Sequence, residues 1–172
     1  MPRHRGALIK IILDNNIQKM AEVGVDWGRT SRKILKRCDR VLKEYWAIDH
    51  WEGEERDVTY EQVVTYMFSY PKLHVLKLSS VKAAKLVPKG YFDLVYIDAN
   101  HIYDFVVEDI KSWISLVKKG GILAGHDYNK SSVRRAVNEC LGEIVEPTPA
   151  LGSKGSTKIW IKNIGRDLNG TY

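Results

Sequence analysis

Two rhythms of apolar positions alternate along this chain. Short apolar runs recur at Met20 to Val25, Tyr45 to Asp49, Leu73 to Leu78, Phe92 to Asp98 and Ile122 to Gly125. Between them, apolar residues return every three or four positions, as on one face of a helix. The clearest case is Tyr103, Val106, Val107, Ile110, Trp113, Ile114 and Val117, closed by Gly120 and Gly121, which read as a C-terminal stop. Ala7 to Leu13, the segment carrying Ile34, Leu35, Cys38, Val41 and Leu42, and the aromatic stretch from Tyr60 to Tyr70 read as helices too, the last ended by Pro71. A further helix is expected from an N-cap at Ser131, turning Val133, Ala136, Val137, Cys140 and Leu141 inward. Two short strands follow, around Glu143 to Glu146 and Lys158 to Lys162, joined by the Pro- and Gly-rich Pro147 to Ser156. Strands alternating with helices predict a doubly wound, mostly parallel α/β sheet, and the last two strands a C-terminal antiparallel hairpin.

The length of 172 residues suits one such domain spanning 1–172, so any active site is expected inside a single fold. The apolar stretch after the basic start is broken by Lys10 and runs into Asp14, Asn15 and Asn16. That is too short and too soon polar for a signal peptide or a membrane span, and a cytoplasmic protein without a membrane partner is expected. Cys38 and Cys140 sit among apolar residues with no neighbouring Cys or His cluster, so both are expected as buried free thiols in a reducing compartment. Much of the net charge of +6 lies in Arg29, Arg32, Lys33, Lys36, Arg37, Arg40 and Lys43. A basic helix face without a nucleic-acid-binding motif reads as a solvated outer surface, and nucleic acid is not expected as the partner.

Ligands of open α/β sheets bind beyond the carboxyl ends of the strands, where strand order reverses. The chemistry-bearing residues gather at those ends. Gly24 and Gly28 flank the first turn, Asp49 ends the second strand, and Ser79 and Ser80 follow the third; Asp98 and His101 follow the fourth, and His126 and Asp127 the fifth. Missing side chains at Gly24 and Gly28 let backbone N–H groups approach a ligand. The first turn is not GxGxxG, and it holds Asp26 and Trp27 where a pyrophosphate would lie. A nucleoside fits it better than a dinucleotide, which argues against a nicotinamide-dependent dehydrogenase.

These residues resemble the class I S-adenosylmethionine-dependent methyltransferases, in particular small Rossmann-like members with an IDxDHxY signature. Glu22 to Ser31 is similar to that family's first motif, ExGxxxGxTS; Tyr96 to Tyr103 and Gly120 to Tyr128 are similar to its fourth- and fifth-strand motifs. The likeness covers about Lys19 to Leu141. It implies a Rossmann-like fold and S-adenosylmethionine as cofactor, with Glu22, Gly24 and Gly28 around its methionine part, Asp49 on the ribose hydroxyls, and Val25 and Thr30 also among the cofactor-binding residues. His50 and Trp51 would flank the adenine, with Ser80 and Val81 on its other edge and Asp98 near the sulfonium; Trp51 is equally at home in the core.

By the same resemblance His126, Asp127 and His101 are the candidates for catalysis on the acceptor, with loop bracing as the alternative for each histidine. A base is needed only where the nucleophile must lose a proton, and histidine serves at neutral pH. Relatives that carry two acids after the fifth strand hold a divalent metal there. Here the first of that pair is His126, leaving Asp98 and Asp127 as candidate magnesium ligands, although hard cations prefer oxygen donors. The implied activity is methyl transfer to a small acceptor, at oxygen by preference. With about eighteen residues ahead of the first strand, the chain has little from which to build a lid, so the site is expected to stand open or to be completed by a second copy. Tyr60, Tyr66, Phe68 and Tyr70 are expected in the core or in the site wall. The competing reading is a non-catalytic binding module of the same fold, placed on RNA by the basic helix.

Overall fold

A computed structural model describes residues 3–52, 56–67, 69–142, 146–148 and 159–165. In chain order the elements are α1 (Arg3–Asp14), β1 (Lys19–Val23), α2 (Arg29–Cys38), β2 (Glu44–Asp49), α3 (Arg56–Met67), β3 (Leu73–Lys77), α4 (Ser80–Ala84), β4 (Phe92–Ile97), α5 (Tyr103–Trp113), β5 (Val117–Gly125), α6 (Ser131–Leu141), β6 (Glu146–Thr148) and β7 (Ile159–Asn163). Among the described residues seven strands form one sheet, in the order β3-β2-β1-β4-β5-β7-β6. The five leading strands run parallel, and β7 pairs antiparallel with both β5 and β6. This is the Rossmann-like sheet with a terminal hairpin. The connection between the hairpin strands lies outside the described residues apart from Pro147 and Thr148, as do Glu143 and Phe68.

The sheet is covered on both faces, which explains why its strands read as apolar runs instead of alternating patterns. In β4 all six residues are buried, and beyond the register shift at Phe92 they divide by parity. Val95 and Ile97 join the cluster under α4, α5 and α6, with Trp113 and Val137; Leu94 and Tyr96 join the opposite cluster under α1 and α2, with Leu8 and Ile34. Strand order reverses between β1 and β4, and this reversal opens the sheet's carboxyl edge.

Three local expectations need correction, and one element goes beyond them. Helical spacing carries through Val117, but the helix ends at Trp113 and a 3₁₀ turn over Ile114–Leu116 delivers Val117 into the sheet opposite Phe92. Gly120 and Gly121 therefore sit in an irregular stretch of β5 and cap no helix. Ser131 is the first helical residue, not the cap: Lys130 holds the N-cap position, with no side-chain hydrogen bond. Cys38 is buried, whereas Cys140 is only half-buried. Finally, α4 was not visible as a separate period, being a single short turn of helix. No helix among the described residues is long and apolar enough to cross a membrane.

Candidate active site

Adjacent strand ends are stitched together before they diverge. Gly24 N–H donates to Ile48 O at 2.8 Å, and Asp98 N–H to Val23 O at 2.7 Å. Gly24 then turns with φ +92, and a Cβ there would collide with the carbonyl of Asp98 and the Cα of Ala99, so only glycine fits. Gly28 closes the turn in the left-handed region and stands at the N-cap of α2.

Asp49 holds this turn from the next strand. Its Oδ2 accepts the N–H groups of Val25 and Asp26, both at 2.9 Å; its Oδ1 accepts Trp51 N–H at 3.1 Å and stands 3.0 Å from His50 Nδ1. Burial alone would raise the carboxyl's pKa, but the donors from Asp26, His50, Trp51 and Val25 outweigh it and hold the group below its ordinary value. Two of the held residues, Asp26 and Trp51, have positive φ without being glycine. That conformation costs of the order of 1–3 kcal/mol and persists only where the surroundings impose it.

Glu22, the last inward side chain but one of β1, is buried beneath the turn and accepts hydrogen bonds from the hydroxyls of Ser31 and Tyr45. Burial pushes its carboxyl up to about 8; the two hydroxyl bonds pull back, while the charges of Asp98 and Asp49 push the same way as burial. At neutral pH it stands mainly protonated.

Above these residues opens a cavity of about 790 Å³. Glu22, Gly24, Val25, Thr30, Asp49, His50, Ser80, Val81, Asp98 and His101 line it, all of them positions singled out in the sequence. Gly28, Trp51, His126 and Asp127 do not. Trp51 requires a correction, because its ring is buried against Tyr60 at 5.1 Å between centroids and its Nε1–H donates to Asp26 O at 3.0 Å. It braces the turn from within the core and offers no face to a ligand. Tyr60, Tyr66 and Tyr70 also lie away from the cavity wall.

Behind the wall, the ends of β4 and β5 make a compact charged group. His101 Nε2 stands 2.6 Å from Asp127 Oδ2, and Lys130 Nζ stands 3.0 Å from the same oxygen. His126 Nδ1 lies 3.2 Å from Asp98 Oδ1 and 3.5 Å from Asp127 Oδ2. Burial lowers the His126 pKa, but the bond to Asp98 and the charges of both aspartates more than compensate, so His126 keeps its proton to higher pH than an ordinary histidine. His126 thus lies against Asp98 behind the cavity, whereas His101 lines the cavity itself. Asp98, His101 and Asp127 each offer a ligand atom, all within 4.8 Å of one another. Magnesium demands a near-octahedral oxygen shell. Here one donor is an imidazole, and Asp127 already faces Lys130, so the group suits that ion poorly.

Several cavity residues were not singled out as ligand-binding positions. Arg5 comes from α1, while Phe105, Glu108 and Asp109 come from α5. Asp109 is buried, and burial lifts its carboxyl to about 6 against the pull of Ser80. An acid among the apolar positions of a helix facing the sheet was the available signal. Arg5 left none, since its contact depends on how α1 packs.

The profile of a methyltransferase domain family matches residues 21–128. No curated protein matches the sequence significantly. Among solved structures, spermidine synthase from Thermotoga maritima superposes with a TM-score of 0.68 at 15% identity, over 96% of this chain and 60% of its own. A putative caffeoyl-CoA O-methyltransferase from Staphylococcus aureus gives 0.66 at 14%, over 93% and 82%. A putative rRNA-methylase from Clostridium thermocellum gives 0.68 at 11%, over 92% and 94%. The chain thus spans about three-fifths of the spermidine synthase, and at these identities the likeness concerns the fold. The family match covers more than half of the sequence, including every strand end that builds the cavity, and on that ground the chain belongs to the methyltransferase domain family.

Proposed function

We propose that this protein transfers the methyl group of S-adenosylmethionine to a small acceptor, preferably at a hydroxyl oxygen, with His101 as the base. The observation that carries this reading is the cavity's charge: Asp26, Asp49, Asp98, Glu108 and Asp109 line one pocket at the sheet's switch point, against two arginines. Such a lining favours a ligand bearing positive charge, as a sulfonium donor does. The turn from Gly24 to Gly28 departs from GxGxxG and sets Asp26 and Trp27 on the cavity wall, which suits a nucleoside better than a dinucleotide.

Transfer is an in-line displacement in which positioning supplies most of the rate. The acceptor oxygen attacks the methyl carbon, the carbon–sulfur bond breaks, and its electron pair stays on sulfur as a neutral thioether. The acceptor's proton passes to His101. Asp127 Oδ2, buried 2.6 Å from Nε2, turns that nitrogen inward, which leaves Nδ1 as the atom to receive the proton. No step is routed through a metal, because the donor set at Asp98, His101 and Asp127 suits magnesium poorly.

Calorimetric titration of the whole chain with S-adenosylhomocysteine and with NAD tests the cofactor. Binding of the first alone is expected, and binding of NAD alone would overturn the reading. Turnover is then sought among small phenols, sugars and amines. A second reading rests on the exposed basic side of α2, Arg32, Lys36 and Arg37, which begins at the cavity-lining Arg29 and is continued past the helix by Arg40. Salt-sensitive RNA binding without turnover of any small acceptor would favour a binding module.

A further inference from the structure

The net charge of the chain sits in one segment. The seven basic residues from Arg29 to Lys43, set against the single acid Asp39, account for all of the +6, so the rest of the sequence is balanced. Six of them, Arg29, Arg32, Lys33, Lys36, Arg37 and Arg40, recur every three or four positions, as a stripe along α2 and just past its end, opposite the buried Ile34, Leu35 and Cys38. All but Lys33 are exposed, and among the described residues none of the six pairs with a carboxylate, Asp39 being taken by Lys72 at 2.7 Å. The stripe also starts at the wrong end of its helix. A helix N-terminus favours anions, yet the first turn of α2 holds Arg29 and Arg32 and no acid. Like charges three and four positions apart add to that cost. Such a conflict between local preference and fold marks a functional position, because a bound anion reverses both penalties.

We infer that Arg29 and Arg32 hold a phosphate group of the methyl acceptor at the rim of the cavity, so that the acceptor is a phosphate ester with its hydroxyl turned inward to His101. The inference rests on the methyl-transfer reading and names the acceptor's class. Arg29 is exposed and lines the cavity, and Arg32, one turn on, is held with its guanidinium over the Tyr66 ring at 3.9 Å. Residues three apart on a helix have Cβ atoms about 5–6 Å apart, which lets two guanidinium forks straddle one tetrahedral dianion. Lys36, Arg37 and Arg40 lie farther along the stripe, where an exposed row of one sign gathers anions and steers them to the cavity mouth. Inside, Asp26, Asp49 and Asp98 repel a phosphate, which fixes the acceptor with its charged end outward.

Calorimetric titration of the full chain with pyrophosphate, in the presence of S-adenosylhomocysteine, reads the subsite without turnover. Binding is expected, weakened by about 10- to 150-fold in Arg29→Ala and in Arg32→Ala, the range for a hydrogen bond to a charged group. Both variants should bind S-adenosylhomocysteine within about twofold of the parent, which also shows that they fold. Methyl transfer to uridine is then compared with transfer to uridine monophosphate, and glucose with glucose phosphate. Each phosphate should show the lower KM, and Arg32→Ala should raise that KM while kcat stays near the parent's. Pyrophosphate that does not bind the parent, or binds both variants as it binds the parent, overturns the subsite. Equal losses for pyrophosphate and S-adenosylhomocysteine would give the arginines to the donor and overturn it too, and equal KM values within each pair would remove the phosphate from acceptor recognition. An oligouridylate bound by a parent that ignores pyrophosphate would assign the stripe to a polymer, against the inference. A parent that binds pyrophosphate but not S-adenosylhomocysteine keeps an anion site and overturns the methyl-transfer reading, and the acceptor assignment falls with it.

Discussion

Asp49 Oδ2 accepts the backbone N–H of Asp26 at 2.9 Å, tying the tip of the β1–α2 turn to the end of β2. Asp49 therefore does structural work before any ligand arrives. Its oxygens already accept three backbone N–H groups and face His50, which fills the ordinary capacity of a carboxylate. A ribose hydroxyl held here must share or displace one of these donors, and His50, the exposed one, is the candidate for release. Asp49→Ala leaves the Val25, Asp26 and Trp51 N–H groups without their acceptor, at about 1–3 kcal/mol for each that stays buried. Both a lower melting temperature and weaker S-adenosylhomocysteine binding are expected. A variant with unchanged melting would deny Asp49 its hold on the turn.

Gly24 tests the turn from the other side. Gly24→Ala places a methyl group against the Asp98 carbonyl and forces an L-residue to φ +92. The main chain of β1 or β4 must shift, so the variant is expected to lose stability by about 1–3 kcal/mol, as for a residue in a sparsely populated backbone region. Thermal melts read it. Parent-like melting together with parent-like ligand affinity would show that the two strand ends tolerate separation.

Glu22 predicts a pH dependence with a definite sign. Its carboxyl moves from an ordinary value of 4.5 to about 8 on folding, so between those limits the folded chain holds a proton that the unfolded chain has released. Stability contributed by this group is complete below about 4.5 and declines as pH rises to about 8. Glu22→Gln keeps an oxygen to accept the Ser31 and Tyr45 hydroxyls and removes the titration. Chemical denaturation from pH 5 to 9 should therefore show the variant gaining on the parent with rising pH. A constant difference between the two across that range would mean that Glu22 folds in ionised.

How much of this was legible depends on the range of each interaction. The order of strands and their buried character follow from short apolar runs, because a strand covered on both faces buries its side chains on either side, as β4 does, where the charged Asp93 is tolerated by accepting the Gln18 and Lys19 N–H groups. The gathering of Glu22, Asp49, Asp98 and His101 at one edge follows from parallel topology, which points every strand end the same way. Trp51 was open between the core and the adenine, and the structure takes the core, because the chain turns there with a positive φ that no apolar period records. The end of α5 defied reading because Val117 satisfies helical spacing and strand burial alike. Arg5 and Asp109 reach the cavity through helix packing, for which periodicity holds no coordinate.

The last prediction concerns the division of labour between His101 and Asp127. His101 lines the cavity and Asp127 does not, yet the two lie 2.6 Å apart. If His101 takes the acceptor's proton, His101→Ala should reduce kcat by about 10²- to 10⁴-fold, the contribution of general-base catalysis. S-adenosylhomocysteine affinity should stay near the parent's, because a group used in the transition state alone does not hold the ground state. Asp127→Asn keeps the shape but weakens the hold on Nε2, so a smaller fall in kcat is expected with KM little changed. His126→Gln should cost less than His101→Ala, since His126 answers Asp98 behind the wall. Chelator treatment should leave turnover intact. Activity lost to chelator and restored by magnesium would instead make Asp98 and Asp127 metal ligands, with His101 bracing them. Parent-level turnover by His101→Ala would remove proton transfer to this residue from the mechanism and leave the end of β4 with a purely structural part.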